Sequence, residues 1–160
     1  MKESERIADQ LRRAVKGHAW HGPSVSEALK GVNGRAATAH PIAGAHSIWE
    51  LVLHLTVWIR VPLRRLKGKG TKVSAAQEWP AVTGSGKSDW RRALADFYAA
   101  HEELQQELTF VSAADLARRT PGKKHNNLLM LDGVVQHLLY HAGQIVLLKK
   151  AQGRRPARRK

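Results

Sequence analysis

Cysteine is absent from the 160-residue chain. Its absence excludes a disulfide-bonded scaffold, a cysteine zinc site, an iron–sulfur cluster and a cysteine nucleophile. No apolar run reaches the roughly 18 residues of a membrane-spanning helix, so we expect no membrane association. The first residues, Met1 to Glu5, are polar and include acids. This argues against a secretory signal, and we expect a cytoplasmic protein.

Acidic residues are few, since 13 Asp and Glu stand against 27 Lys and Arg, for a net charge of +14. Seven of the basic residues fall in 149–160, whereas residues 1–148 contain 20 basic and 13 acidic residues, a net charge of +7. Such a field attracts polyanions without specificity. The tail has no aromatic residue for base stacking. We therefore expect any nucleic-acid binding to be weak, nonspecific and confined to the tail.

Helical hydrophobic periodicity dominates the chain, and no segment favours a strand. We predict long helices at about 3–16, 47–67, 88–109 and 128–151. Ser47 and Glu50 have the spacing of a capping box at the start of the second helix. Ser88 is expected to cap the third helix. Pro62 is expected to bend or interrupt the second helix because it lacks an N–H donor.

The connections between these helices are long. Residues 18–45 and 68–87 separate the first three helices, with two helical turns predicted at 24–30. Connections of about 20 residues or more permit a crossover. We therefore predict an all-α protein, a four-helix bundle with long crossover connections. It forms one domain over residues 1–151, and a basic tail, 152–160, is expected to be disordered.

Histidine is the residue type in which chemistry is expected, and the chain has nine. His137 and His141 lie four residues apart in the last predicted helix. That spacing places both imidazoles on one helix face, one turn apart, as when a helix supplies two nitrogens to one metal ion. His54 lies in the most apolar part of the second helix. We predict that all three face one bundle interior.

Two interpretations of these histidines remain open at this stage. A buried imidazole needs a polar partner, because desolvation without one costs a few kcal/mol. One shared ion would serve all three, and neutral imidazole suits zinc, nickel, iron or copper. Three protein ligands would leave a position for water or substrate. Three separately hydrogen-bonded core histidines explain the pattern equally well.

Residues near the histidines have alternative roles. Glu50, one turn before His54, either orients that imidazole and exchanges protons or only completes the capping box, which we favour. Gln144 either hydrogen-bonds a ligand or a ligand-holding side chain, or pairs between helices. His101 is either a fourth metal ligand or, as we favour, a packed histidine. Gly143 is expected to allow a close approach between helices.

Two further expectations concern aromatic residues and His21. His21 lies either near the mouth of a pocket or in solvent. The tryptophans are expected to pack in the core rather than line a pocket. They are Trp20, Trp49, Trp58, Trp79 and Trp90.

Two segments that contain these histidines resemble the DinB-like superfamily. Residues 46–54 are similar to its second-helix motif, and residues 133–145 to its last-helix motif, His-x-x-x-His-x-Gly-Gln-Ile. Residues 19–22 and the Pro41-containing segment before the second helix are also similar. The resemblance covers most of the chain, from about residue 20 to residue 151.

The resemblance implies a four-helix bundle in which the second and third helices run parallel. It implies a divalent metal, often nickel or zinc, held by His54, His137 and His141. Characterised relatives include metal-dependent transferases and isomerases that use a low-molecular-weight thiol, and dimers are common. A small-molecule substrate, a thiol cosubstrate and a homodimer are therefore expected. No catalytic acid or base carries over, so Glu50 and Gln144 are the catalytic candidates.

Three functions follow as hypotheses. The first is a metal-dependent thiol transferase, in which the metal lowers the pKa of a coordinated thiol and the protein needs no cysteine. The second is a bundle that binds a metal or small ligand without catalysis. The third is a basic accessory protein that contacts nucleic acid through its tail.

Overall fold

The computed structural model describes residues 1–84 and 86–153, and this part of the chain forms eight helices and no strand. No helix within it combines the length and hydropathy needed to cross a membrane. The predicted all-α class is confirmed. In chain order the helices are α1 (Glu3–Lys16), α2 (Val25–Leu29), α3 (Gly34–Thr38), α4 (Ile48–Leu66), α5 (Ala75–Glu78), α6 (Lys87–Leu108), α7 (Ala113–Ala117) and α8 (Asn127–Gly153).

Parallel packing of α4 and α6 defines the topology. Trp49 and Trp90, near the N-terminal ends of the two helices, have ring centroids 5.2 Å apart. Lys67 and Glu107, at the C-terminal ends, form a 3.3 Å ion pair. Consecutive long helices that run parallel require a connection that returns along the bundle, here residues 67–86. The predicted crossover is confirmed.

The other two long helices complete the bundle. Helix α8 packs against α1 on one side and α4 on the other, while α6 also lies between α1 and α4. Near the starts of α1 and α8, Arg6 Nη2 donates to Asp132 Oδ1 at 2.9 Å. Large apolar side chains from all four helices fill the space between them. They include Ile7, Leu11, Trp49, Leu55, Phe97, Leu104, Leu131 and Leu138.

The helix ends differ from the predictions in two places. Helix α6 is capped by Gly86, so Ser88 lies inside its first turn and the predicted Ser88 cap is wrong. Asp89, the third helical residue, accepts the Gly86 N–H at 3.3 Å and takes over the capping role. Pro62 does not interrupt α4, which continues to Leu66. Its ring and the adjacent side chains are buried, and this packing holds the helix together across the missing N–H donor.

The end of α8 corrects the predicted boundary of the tail. Lys149 Nζ donates to the Ala28 carbonyl at 2.7 Å, and Gln152 Nε2 donates to the Ala36 carbonyl at 2.8 Å. Gln152 is therefore helical and docked on the domain rather than the first residue of a tail. The rest of the predicted tail, residues 154–160, lies outside the described residues.

Two short helices lie in segments predicted as loops. Asn33 caps α3 by accepting the Ala36 N–H at 2.9 Å, and Ser74 caps α5 by accepting the Gln77 N–H at 3.3 Å. Helices of four or five residues are too short to show hydrophobic periodicity, which is why they were not predicted. Helix α5 matters most, because it ends against the three histidines.

Candidate metal centre

Three imidazoles converge where α4 and α8 face each other. His54 comes from α4, His137 and His141 come from α8, and one ring nitrogen of each lies within 4.8 Å of the others. His137 Nε2 lies 3.0 Å from His54 Nε2 and 3.0 Å from His141 Nε2. The predicted convergence on one bundle interior is confirmed.

Hydrogen bonds at the opposite nitrogens set the tautomers of two of these rings. His54 Nδ1 donates to the Glu78 backbone carbonyl at 2.9 Å, and His141 Nδ1 donates to Gln144 Oε1 at 2.7 Å. A proton on Nδ1 leaves the Nε2 lone pair free. Metal-ligating histidines are typically held by carbonyl oxygens in this way.

Where the three Nε2 atoms meet, lone pairs outnumber protons, because the protons of His54 and His141 lie on Nδ1. Burial lowers the pKa of His54 and of His141, while burial and the two neighbouring rings lower the pKa of His137 to about 4. All three are therefore neutral at pH 7. If His137 has its proton on Nε2, it can donate a well-aligned hydrogen bond to only one of the two neighbouring Nε2 atoms. A divalent cation matches three converging imidazole nitrogens. The residues present thus fit a divalent metal.

An aromatic stack borders the centre. Trp79 stacks on His54, with ring centroids 3.9 Å apart, and on His46, with centroids 3.6 Å apart. Glu78 and Trp79 lie at the end of α5, so this short helix brings both the carbonyl and the ring that hold His54. The sequence assigned Glu78 no role, because a backbone carbonyl has no residue signal. It predicted core packing for Trp79, whereas this side chain is half-buried and borders the histidines.

Glu50 caps α4 and contacts none of the three central rings in the described residues. Its Oε2 accepts the Ser47 N–H at 2.6 Å and lies 3.1 Å from His40 Nε2. The predicted capping box is confirmed. Glu50 reaches the centre only indirectly, because its Oε2 also lies 3.7 Å from Nδ1 of His46, the ring that stacks on Trp79.

A family model of the DinB superfamily matches residues 19–145. The chain belongs to the DinB superfamily. The match includes α4 and the part of α8 that carries His137 and His141, so it covers all three converging histidines. No curated protein and no solved structure matches the chain.

In this DinB superfamily protein the remaining candidates lie in different places. Of the alternatives left open for Gln144, the structure shows a hydrogen bond to His141, one ring of the three-histidine group, within the same helix. His101 is outside the three-histidine group, buried at α6 with its Nε2 3.3 Å from Gln105 Nε2, as favoured for a packed histidine. His21 is exposed and also outside the group. Gly143 is exposed, and a Cβ there would meet no described atom within 4 Å, so the predicted close approach within the chain is wrong.

The tryptophans divide between core, surface and site. Trp49 and Trp90 are buried, as predicted. Trp20 is fully exposed at 102%, so its predicted core position is wrong. It lies in the connection before α2, which runs over the surface. Trp58 and Trp79 line the site instead, and Trp58 has its ring centroid 6.0 Å from that of His137.

A cavity of about 410 Å³ adjoins the centre in this DinB superfamily protein. It lies between α4 and α8, and His137 forms part of its wall together with Trp58, Met130 and Val134. Arg65 and Glu78 add charged groups of opposite sign. A mostly apolar cavity of this volume, with a few polar groups, is typical of small-molecule sites.

Proposed function

We propose that this DinB superfamily protein is a divalent-metal-dependent enzyme that transfers a low-molecular-weight thiol to an electrophilic small molecule. One observation carries the proposal: three Nε2 atoms converge beside a cavity, and the tautomers of two rings are set by oxygens of Glu78 and Gln144. Zinc or nickel suits this donor set. Three protein ligands leave a position for an exogenous group.

The chain's own residues hold and orient the participants. The three histidines would bind the ion, which would act as a Lewis acid and lower the pKa of a thiol near it. The cavity beside His137 would receive the electrophile and exclude water with its apolar wall. The thiol sulfur forms a bond to the electrophilic carbon, the leaving group departs with the bonding electron pair, and the thiol proton passes to solvent. The sulfur belongs to the cosubstrate, because the chain has no cysteine.

Metal content is the first test. Tag-free protein purified without chelator is analysed by elemental mass spectrometry. It is compared with the triple variant His54→Ala, His137→Ala, His141→Ala and with a control, His21→Ala, which removes an exposed histidine. We expect about one divalent ion per chain in the unchanged protein and the control, and none in the triple variant. No ion after incubation with zinc or nickel would contradict the metal centre.

Turnover is the second test. Metal-loaded protein is screened with a panel of low-molecular-weight thiols and alkylating electrophiles, and loss of free thiol is followed over time. We expect turnover that disappears after chelator treatment and in the triple variant. Bound metal without turnover across the panel would identify the alternative, a bundle that binds metal or a small ligand without catalysis.

A further inference from the structure

The cavity beside His137 contains a buried cation that forms no ion pair with a described carboxylate. Arg65, in the last turn of α4, is 5% exposed and lines this cavity. Its one hydrogen bond to the described residues runs from Nη2 to the Thr71 carbonyl at 3.0 Å. Its Nε is buried without a partner, and no described carboxylate forms an ion pair with it.

This burial is unusual for the chain. Arg60 and Arg64, the neighbouring arginines of α4, are exposed to water. Arg65 is not, and burial lowers its pKa. A guanidinium does not lose its proton in proteins, so it cannot avoid the cost by becoming neutral. Burying it without a counter-ion costs free energy that an anion from solution would offset.

A second unpartnered donor lies in the same wall. Trp58 Nε1 is buried without a hydrogen-bond partner in the described residues. Trp58 precedes Arg65 by seven residues, about 10 Å along the helix axis and on the same face. The Trp58 ring lies beside His137. The cavity wall therefore runs from His137, past the Trp58 N–H that has no partner in the described residues, to the Arg65 guanidinium.

The surrounding charges favour an anion. The adjoining cavity, about 710 Å³, is also lined by Trp58 and Arg65, and Lys72 and Lys123 form part of its wall. Among the described residues, Glu78 is the one carboxylate residue in the walls of these cavities, and it lines both. Three cationic side chains against one anionic side chain make this region electropositive, which raises the local concentration of anions.

We propose that Arg65 binds a carboxylate of the small molecule that reacts at the three-histidine centre, with Trp58 Nε1 as a second donor. The planar guanidinium pairs with a carboxylate through parallel hydrogen bonds, which an ammonium group cannot reproduce. The reactive end of the molecule then lies toward His137 and its carboxylate toward the end of α4. The assignment of that reactive end rests on the proposed function, whereas carboxylate binding does not need the metal.

Matched probes that differ only in charge test this proposal. Binding of propionate and propionamide to metal-free protein is measured by calorimetry. The thiol pair 3-mercaptopropionate and 3-mercaptopropionamide is measured on metal-loaded protein. We expect each carboxylate to bind about 10-fold more tightly than its amide, as for a charge-assisted pair. The preference should disappear in Arg65→Met and persist in Arg64→Met, which removes the exposed neighbour.

Two results would overturn the proposal: equal binding of carboxylate and amide in the unchanged protein, or a preference that survives Arg65→Met. If Arg65→Met lacks native circular dichroism, Arg65→Lys replaces it. Lysine keeps the charge but not the planar donors, so a reduced preference is expected and an unchanged one contradicts the proposal. Trp58→Phe should weaken propionate binding without abolishing the preference.

Turnover assays identify which reactant carries the carboxylate. Iodoacetate and iodoacetamide are compared as electrophiles with one thiol, and the two mercapto probes are compared with one electrophile. The reactant whose carboxylate form has a lower KM than its amide form, and loses that advantage in Arg65→Met, is the one whose carboxylate Arg65 binds. If metal-free protein prefers the carboxylate but metal-loaded protein shows no turnover, carboxylate binding by Arg65 is supported and the proposed function is contradicted. Metal-dependent turnover without a carboxylate preference would support the proposed function and contradict carboxylate binding by Arg65.

Discussion

A histidine offers its Nε2 lone pair to a metal only when its proton lies on Nδ1, so the acceptor at Nδ1 matters as much as the ring. At His54 that acceptor is the Glu78 backbone carbonyl, which no substitution removes directly. At His141 it is the side-chain oxygen of Gln144. Gln144 is therefore the position at which the orientation of one ring can be changed without removing one of the three histidines.

We predict that Gln144→Ala weakens metal binding by about 10- to 100-fold, the usual effect of losing such an acceptor. Binding is measured by competition with a chromophoric chelator. Gln136→Ala, an exposed glutamine of the same helix, serves as the control and should bind like the unchanged protein. Equal affinity in both variants would show that the Gln144 hydrogen bond does not contribute. Gln144→Glu keeps an acceptor and should retain tight binding.

At the scale of elements, the four-residue helix α5 positions the Glu78 carbonyl and the Trp79 ring against His54. An isolated helix this short is unstable, so its position depends on its cap and its packing. Ser74 and Gln77 exchange backbone-to-side-chain hydrogen bonds of 3.0 and 3.3 Å, which complete the cap. Trp79 then packs on His54 and His46. The stack holds the end of α5 against α4, and with it the Glu78 carbonyl.

We predict that Trp79→Ala lowers the free energy of unfolding by about 2 kcal/mol, less than for a fully buried tryptophan because Trp79 is half-buried. It should also weaken metal binding, because the end of α5 is no longer held against His54. Urea unfolding of metal-free protein and chelator competition measure the two effects. Trp20→Ala, at the fully exposed tryptophan, should change stability by no more than about 0.5 kcal/mol. Identical behaviour of the two variants would contradict a role for the stack.

At the scale of the whole molecule, α8 leaves one face uncovered. Leu129, Tyr140 and Leu147 are 60%, 65% and 57% exposed. Their separations of 11 and 7 residues place them in one line along the helix, about 27 Å long. The line carries no charge between them, since Gln136 and Gly143 occupy it. Exposed apolar side chains aligned along one helix offer a surface for a helix–helix interface, and we propose that α8 forms a homodimer contact.

The predicted homodimer is tested by light scattering coupled to size exclusion. We expect a dimer for the unchanged protein and a monomer for Tyr140→Glu, Leu147→Glu, because two buried charges would oppose the contact. Phe110→Glu, which changes an exposed aromatic residue away from α8, should remain a dimer. Metal content should persist in the monomer, because one chain supplies all three histidines. A monomeric unchanged protein would contradict the proposal.

Much of the fold could be predicted from the sequence because long amphipathic helices have a strong periodic signal. The bounds of α1 are as predicted, and those of α4 and α8 differ by one or two residues. The failures are local. Pro62 lies within an unbroken helix because packing outweighs one missing hydrogen bond, and Gly86 rather than Ser88 caps α6 because Asp89 accepts its N–H. Neither outcome depends on residue type alone.

The candidate centre divides in the same way. The spacing of His137 and His141, and the apolar setting of His54, were sufficient to predict that the three rings face one interior, since helix geometry converts spacing into direction. The Glu78 carbonyl, the Trp79 stack and the burial of Arg65 were not predictable. Each depends on how the crossover connection folds back over α4, and contacts between residues distant in sequence leave no periodic trace. Residue identity and helical period determined which three histidines converge, and tertiary packing alone decided what surrounds them.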